Sequence, residues 1–83
     1  MEYNITYKSS VKKDLKKIEK KELLRILNGI EYELKKGPLI GKELKGQFEG
    51  LLSYRIGKYR VIYTIVGNTI LILRISHRKD VYK

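Results

Sequence analysis

Two glycine-led breaks constrain this chain more than any other feature. Gly57-Lys58 separates the run 51–56 from the run 59–66, and Gly67-Asn68 separates 59–66 from 69–76. Each break is two residues long with Gly at its first central position, where a type II′ turn requires positive φ, so both predict tight β-hairpins. A two-residue turn also fixes which residues stand opposite one another. Across the first turn Ile56 pairs with Tyr59, Arg55 with Arg60 and Tyr54 with Val61. One face then gathers Leu52, Tyr54, Ile56, Tyr59, Val61, Tyr63 and Ile65, enough apolar surface to receive a helical layer, while Arg55 and Arg60 leave from the other. Carried through the second turn without interruption, the ladder sets Ile75 beside Arg60 and His77 beside Lys58, bringing the sole histidine to the arginine face. The same count puts Arg74 among the helix-facing residues, a position that needs a bulge or a carboxylate partner to be tolerable.

Upstream, Tyr3, Ile5 and Tyr7 alternate with Asn4 and Thr6, which predicts a half-buried strand over 2–7. Ser9 or Ser10 can cap the helix that follows, where Val11, Leu15 and Ile18 recur at helical spacing. The stripe then changes phase: Glu22, Arg25 and Gly29 stand where apolar residues would continue it, and a new stripe starts at Leu23 and runs through Leu27, Ile30 and Leu34. Two helices follow, over 10–19 and 21–36, closed by Gly37 and Pro38 in the order helix ends favour. Between 39 and 50 the periodicity is lost and Gly41, Gly46 and Gly50 accumulate, which predicts a loop anchored by Leu44 and Phe48. The expected fold is therefore α+β: an N-terminal strand, a helix hairpin, then antiparallel strands, all in one sheet with the helices on one face. With 83 residues there is room for one core, and residues 1–83 are read as a single domain.

Charge narrows the function. The chain carries a formal +10, with 12 basic and 8 acidic side chains in residues 1–49 but 7 basic and 1 acidic in residues 50–83. A strand-rich half whose only carboxylate side chain is Asp80 creates a field that polyanions feel, so nucleic acid or the ribosome is the expected partner, the alternative being a charge that only keeps the protein soluble or matches an acidic protein partner. With no cysteine and one histidine, neither a disulfide framework nor a metal site is expected, and no phosphate loop or other small-molecule cofactor motif is present. The longest apolar runs are far shorter than the roughly 20 residues of a membrane span. A soluble, cytoplasmic protein with no membrane partner is the expectation.

The paired arginines sharpen this. Like charges directly opposite one another weaken a sheet by a few tenths to about 1 kcal/mol, a cost that an anion held between them would offset. Long arginine arms splayed into water over their own stems would be the bland alternative. The run from Ser76 to Tyr82 adds an imidazole, a guanidinium, an ammonium and a phenol in His77, Arg78, Lys79 and Tyr82. RNA transesterification uses such groups: the 2′-hydroxyl loses a proton, the 5′-oxygen gains one, and the pentacoordinate phosphate needs fixed positive charge.

Lys45-Gly46, the segment Leu52-Ser53-Tyr54-Arg55-Ile56-Gly57-Lys58-Tyr59-Arg60-Val61-Ile62-Tyr63, and His77-Arg78-Lys79-Asp80-Val81-Tyr82 resemble the RelE/ParE toxin superfamily, in its RelE branch, over essentially the whole chain. The resemblance implies the toxin of a type II toxin–antitoxin system, a ribosome-dependent endoribonuclease that cuts mRNA in the decoding site and is neutralised by a cognate antitoxin. It implies catalytic roles for Arg60, Arg78, His77 and Tyr82, with Arg60 stabilising the phosphate and Tyr82 stacking on a base or aiding proton transfer. Arg55, Lys58, Lys45 and Lys79 would bind RNA phosphates. The short turn lacks the further lysine beyond Arg55 of the best-known pattern, which leaves the general base open. The alternatives are a ParE-like toxin that inhibits DNA gyrase by protein contact and cuts no RNA, and an inactive member that only binds antitoxin.

Overall fold

The computed structural model describes residues 3–44, 46 and 49–77. Five strands form one mixed sheet in the order β1-β5-β4-β3-β2: β1 (Asn4–Tyr7), β2 (Lys42–Glu43), β3 (Leu52–Ile56), β4 (Tyr59–Val66) and β5 (Thr69–His77). β1 lies parallel to β5, and every other pairing is antiparallel. Two helices, α1 (Ser9–Lys16) and α2 (Lys20–Gly29), connect β1 to the rest and cover one face. This is the small α+β arrangement expected, with one addition: the predicted loop contains the two-residue edge strand β2.

Both hairpin turns behave as their glycines require. Gly57 and Gly67 adopt φ of +60° and +63°, and no other residue type has positive φ among the described residues, which is the type II′ pattern. β3 and β4 pair residue for residue as counted from the turn, Arg55 opposite Arg60 included.

The second hairpin departs from its count. Pairing runs regularly from Val66 opposite Thr69 to Tyr63 opposite Ile72, then slips, so that Ile62 stands opposite Arg74. Leu73 is thus an extra residue, a β-bulge, and every side chain beyond it changes face. Ile75 turns inward beside Val61 and is 1% exposed, Arg74 turns outward, and His77 stands beside Tyr59 instead of Lys58. Two expectations are corrected: Ile75 does not sit beside Arg60, and His77 does not join the arginine face. The same slip removes Arg74 from the core.

Helix details also differ. Lys8 occupies the position before α1 and makes no side-chain cap, while Ser10 reaches across to donate its hydroxyl to the Leu73 carbonyl at 3.5 Å. The inward stripe of the second helix is Leu23, Ile26, Ile30 and Leu34, with Ile26 fully buried where Leu27 was expected to lead. The α-helix ends at Gly29 and continues as one wider π turn, Ile30–Leu34, so the break falls earlier than Gly37. Gly37 itself is not left-handed; it precedes a short 3-10 turn, Pro38–Ile40. Gly29 marks a close approach of α2 to β3: a Cβ there would come within 2.7 Å of Ile56 Cδ1, so a larger residue would require the Ile56 side chain to shift.

The core is Val11, Ile18, Ile26, Ile30 and Leu34 from the helical layer against Ile56, Val61, Tyr63, Ile70, Ile72 and Ile75 from the sheet. Burial of this one apolar face is what fixes the sheet's orientation and leaves the opposite face to carry charge.

Candidate functional site

β3 and β4 lie in the interior of the sheet, so their outward residues sit on a rigid platform. Arg55 is exposed, but Arg60 is half-buried and its Nη1 donates to Ser53 Oγ at 3.1 Å. Ser53 is 3% exposed although polar, which makes that hydrogen bond its means of compensation. Arg60 is therefore held along the sheet, where a solvated arm would swing freely. A fixed guanidinium offers its donors to an anion with little further ordering, which is the property that charge stabilisation in a transition state demands.

β2 adds a third cation by pairing Lys42 with Ser53. Ile40, Lys42, Ser53, Tyr54, Arg55 and Arg60 together line an open groove of about 400 Å³, and none of these described lining residues carries a carboxylate. Ser76 stands opposite Arg60 on β5, its buried Oγ without a hydrogen-bond partner among the described residues. The bulge turns Arg74 outward, but Arg74 lines the pocket that holds His77 and not this groove.

The groove's second wall is pinned from inside the core. Tyr63, fully buried, donates its hydroxyl to the Pro38 carbonyl at 2.5 Å and accepts the Gly41 amide at 3.1 Å. These two bonds bracket the Pro38–Ile40 turn. Gly41 must be glycine here because a Cβ would collide with the Tyr63 hydroxyl. Burial pushes the Tyr63 phenol above its usual range, and the Gly41 amide partly opposes that, so the hydroxyl remains a donor at neutral pH. Tyr54 is likewise raised, chiefly by its 2.6 Å hydrogen bond to the Glu33 carboxylate, which ties β3 to the end of the helical layer. Burial raises Tyr7 as well, with Glu31 adding to it.

His77 belongs to a different place. Its ring meets Tyr59 edge to face, with centroids 5.5 Å apart, in a pocket of about 210 Å³ shared with Asp14, Lys17 and Arg74. Asp14 accepts the Ile75 amide at 3.1 Å, so a carboxylate from α1 satisfies the edge of β5 beyond the end of β1. Among the described residues no cluster of His, Cys, Asp or Glu is placed to hold a metal ion, and no helix is long and apolar enough to cross a membrane.

Of the residues singled out from sequence, the structure brings Arg55 and Arg60 together, leaves Lys58 exposed in the turn between them, and turns His77 to the opposite face. Lys45, Arg78, Lys79 and Tyr82, with the expected anchor Phe48, lie outside the described residues. Ser53, Lys42 and Ile40 complete the groove, with Tyr63 pinning its wall from the core, and these were not legible as such; only the alternation that points Ser53 to the arginine face could have signalled it.

Comparison with known proteins agrees with this geometry. A family model described as the ParE toxin of type II toxin–antitoxin system, parDE, matches residues 5–82. Toxin RelG of Mycobacterium tuberculosis is 33% identical over 86 residues, covering 100% of this chain and 99% of the relative. The structure resembles a chain of the toxin–antitoxin complex RelBE2 from the same organism, with a TM-score of 0.89 at 31% identity, covering 94% of this chain and 100% of the other. It also resembles a chain of the RelB–RelE antitoxin–toxin complex of Methanococcus jannaschii, with a TM-score of 0.71 at 30% identity over 92% and 93% of the two chains. A family match that runs from β1 past the end of β5, on a fold of the same order, leaves one conclusion: this chain is a toxin of a type II toxin–antitoxin system and belongs to the RelE/ParE family.

Proposed function

We propose that this toxin is an endoribonuclease that cuts mRNA on the ribosome, with Arg60 stabilising the phosphorane and Arg55 with Lys42 drawing in the neighbouring phosphates. The observation that carries the reading is the opposed Arg55–Arg60 pair, one member fixed by Ser53, in a groove whose described lining has no carboxylate. The 2′-oxygen would form its bond to phosphorus as the bond to the 5′-oxygen breaks, with one proton leaving the former and one reaching the latter. Arg60 supplies the charge that this pentacoordinate state needs. His77, on the other face, receives no part in proton transfer at Arg60. Arg78 and Tyr82 enter from their chemistry and the family motif, and Lys58, Lys45 and Lys79 as phosphate-binding cations on the same grounds. The ribosome would orient the mRNA and complete the acid–base set.

Two partners follow. Ribosome affinity rests on phosphate contacts and falls steeply with salt. A cognate antitoxin, as in the complexes of the relatives, would cover the Arg55–Arg60 face or displace the terminal segment with acidic and apolar residues; a complex leaving both arginines fully exposed contradicts this. The place of action would be the cytoplasm.

The match to a ParE-type family model favours a second reading, inhibition of DNA gyrase without RNA cleavage. Primer extension on mRNA with programmed ribosomes, beside a gyrase supercoiling assay, separates the two. Ribosome-dependent breaks with unaffected supercoiling support the nuclease, and the reverse pattern overturns it. Equal cleavage of naked RNA would remove the ribosome from the mechanism.

A further inference from the structure

We infer that the groove beside Arg55 and Arg60 contains a nucleobase subsite whose apolar wall is Ile40, so that the toxin grips a base flanking the scissile phosphate as well as the phosphate itself. The inference rests on the nuclease reading above. Leu39 and Ile40 are consecutive branched aliphatics that remain 78% and 51% exposed. Isolated exposed aliphatics are ordinary on a protein surface, but these occupy a turn that the protein invests in holding still. Tyr63 brackets the turn with two hydrogen bonds, Pro38 within it is buried, and the Ile40 amide closes it by donating to the Gly37 carbonyl at 3.1 Å. Ile40 is thereby fixed on the wall of the groove that Arg55, Arg60 and Lys42 make cationic. A nucleotide matches that combination: an anionic phosphate, and beside it a flat face that gains by leaving water against apolar surface. A purely electrostatic site for the backbone would gain nothing from an exposed isoleucine. Lys42, next but one in sequence and on the same groove, keeps the phosphate flanking that base beside the Ile40 wall.

The test uses the full chain and ribosomes programmed with mRNA whose decoding-site ribose is 2′-O-methylated, so that binding is read without cleavage. In turn, each of the two bases flanking the scissile phosphate is replaced by an abasic site. The parent should lose on the order of fivefold in affinity at one of the two positions, the smaller end of what base contacts contribute. Ile40→Ser should bind the intact mRNA about equally more weakly, lose nothing further at that abasic position, and keep the parent's salt slope because no charge is removed. An Ile40→Ser protein that retains the full abasic penalty, or a parent with no penalty at either position, overturns the subsite. Cleavage of unmodified mRNA by the parent, measured alongside, reports separately on the nuclease reading. A parent that cuts but shows no base dependence through Ile40 keeps that reading and loses only the subsite, whereas a parent that does not cut loses both.

Discussion

The two hairpins of the sheet start from the same turn chemistry and end differently. β3–β4 keeps its register from Ile56–Tyr59 to Leu52–Tyr63, and the arginine pair falls where the turn count puts it. β4–β5 keeps its register for four pairs and then admits Leu73 as an extra residue. A glycine turn therefore fixes pairing only as far as the next insertion. The first hairpin builds the arginine groove; the second uses its bulge to bury Ile75, to send Arg74 outward and to set His77 against Tyr59.

Deletions break this comparison most sharply. Removing Ile62 from β4 would force either Val61 or Tyr63, both fully buried, onto the wrong face, and should cost more than about 4 kcal/mol, enough to abolish folding. Removing Leu73 should leave a folded protein, since Ile72, Arg74 and Ile75 then alternate without a bulge against Tyr63, Ile62 and Val61. Thermal melts of the two deletions check this, and equal damage from both would show that Leu73 is not a separable insertion. A smaller effect is expected from Tyr63→Phe, placed where the two hairpins diverge. It strands the Gly41 amide and the Pro38 carbonyl and should cost about 1–3 kcal/mol, read as a lowered melting temperature. Smallest is Arg55→Thr, which relieves the like-charge pair and keeps a good strand former; it should raise stability by a few tenths to about 1 kcal/mol in chemical denaturation. A loss of stability there would mean that the two arginines do not oppose each other energetically.

How much could be read from sequence follows the same division. The β3–β4 pairing was legible because glycine turns and two-residue alternation are local signals. The bulge was not, since Leu73 carries none of the glycine or proline marks of an irregularity; its trace was the misfit of Arg74 in a continuous ladder. Ile26 was passed over because Leu27 beside it fits a helical stripe almost as well. Asp14 on the Ile75 amide and Tyr63 on the Pro38–Gly41 segment join residues 61 and 22–25 positions apart, and contacts of that kind leave no mark in local periodicity. The arginine face could be named early, but its far wall is put in place by the Tyr63 bonds that hold the turn at Ile40 and by the pairing of Lys42 with Ser53, neither of which shows in local periodicity.

That the arginine pair is retained for phosphate chemistry is tested most directly with Arg60→Ala. Single-turnover cleavage on programmed ribosomes at saturating toxin removes binding from the comparison, and a melting curve establishes that the variant is folded. Loss of a preorganised charge at the phosphorane should raise the barrier by about 3 kcal/mol, roughly a hundredfold in rate, in a protein that still melts cooperatively. A folded Arg60→Ala toxin that cuts at near the parent rate would contradict the assignment, and one restored to the parent rate merely by more toxin would reduce Arg60 to a docking residue.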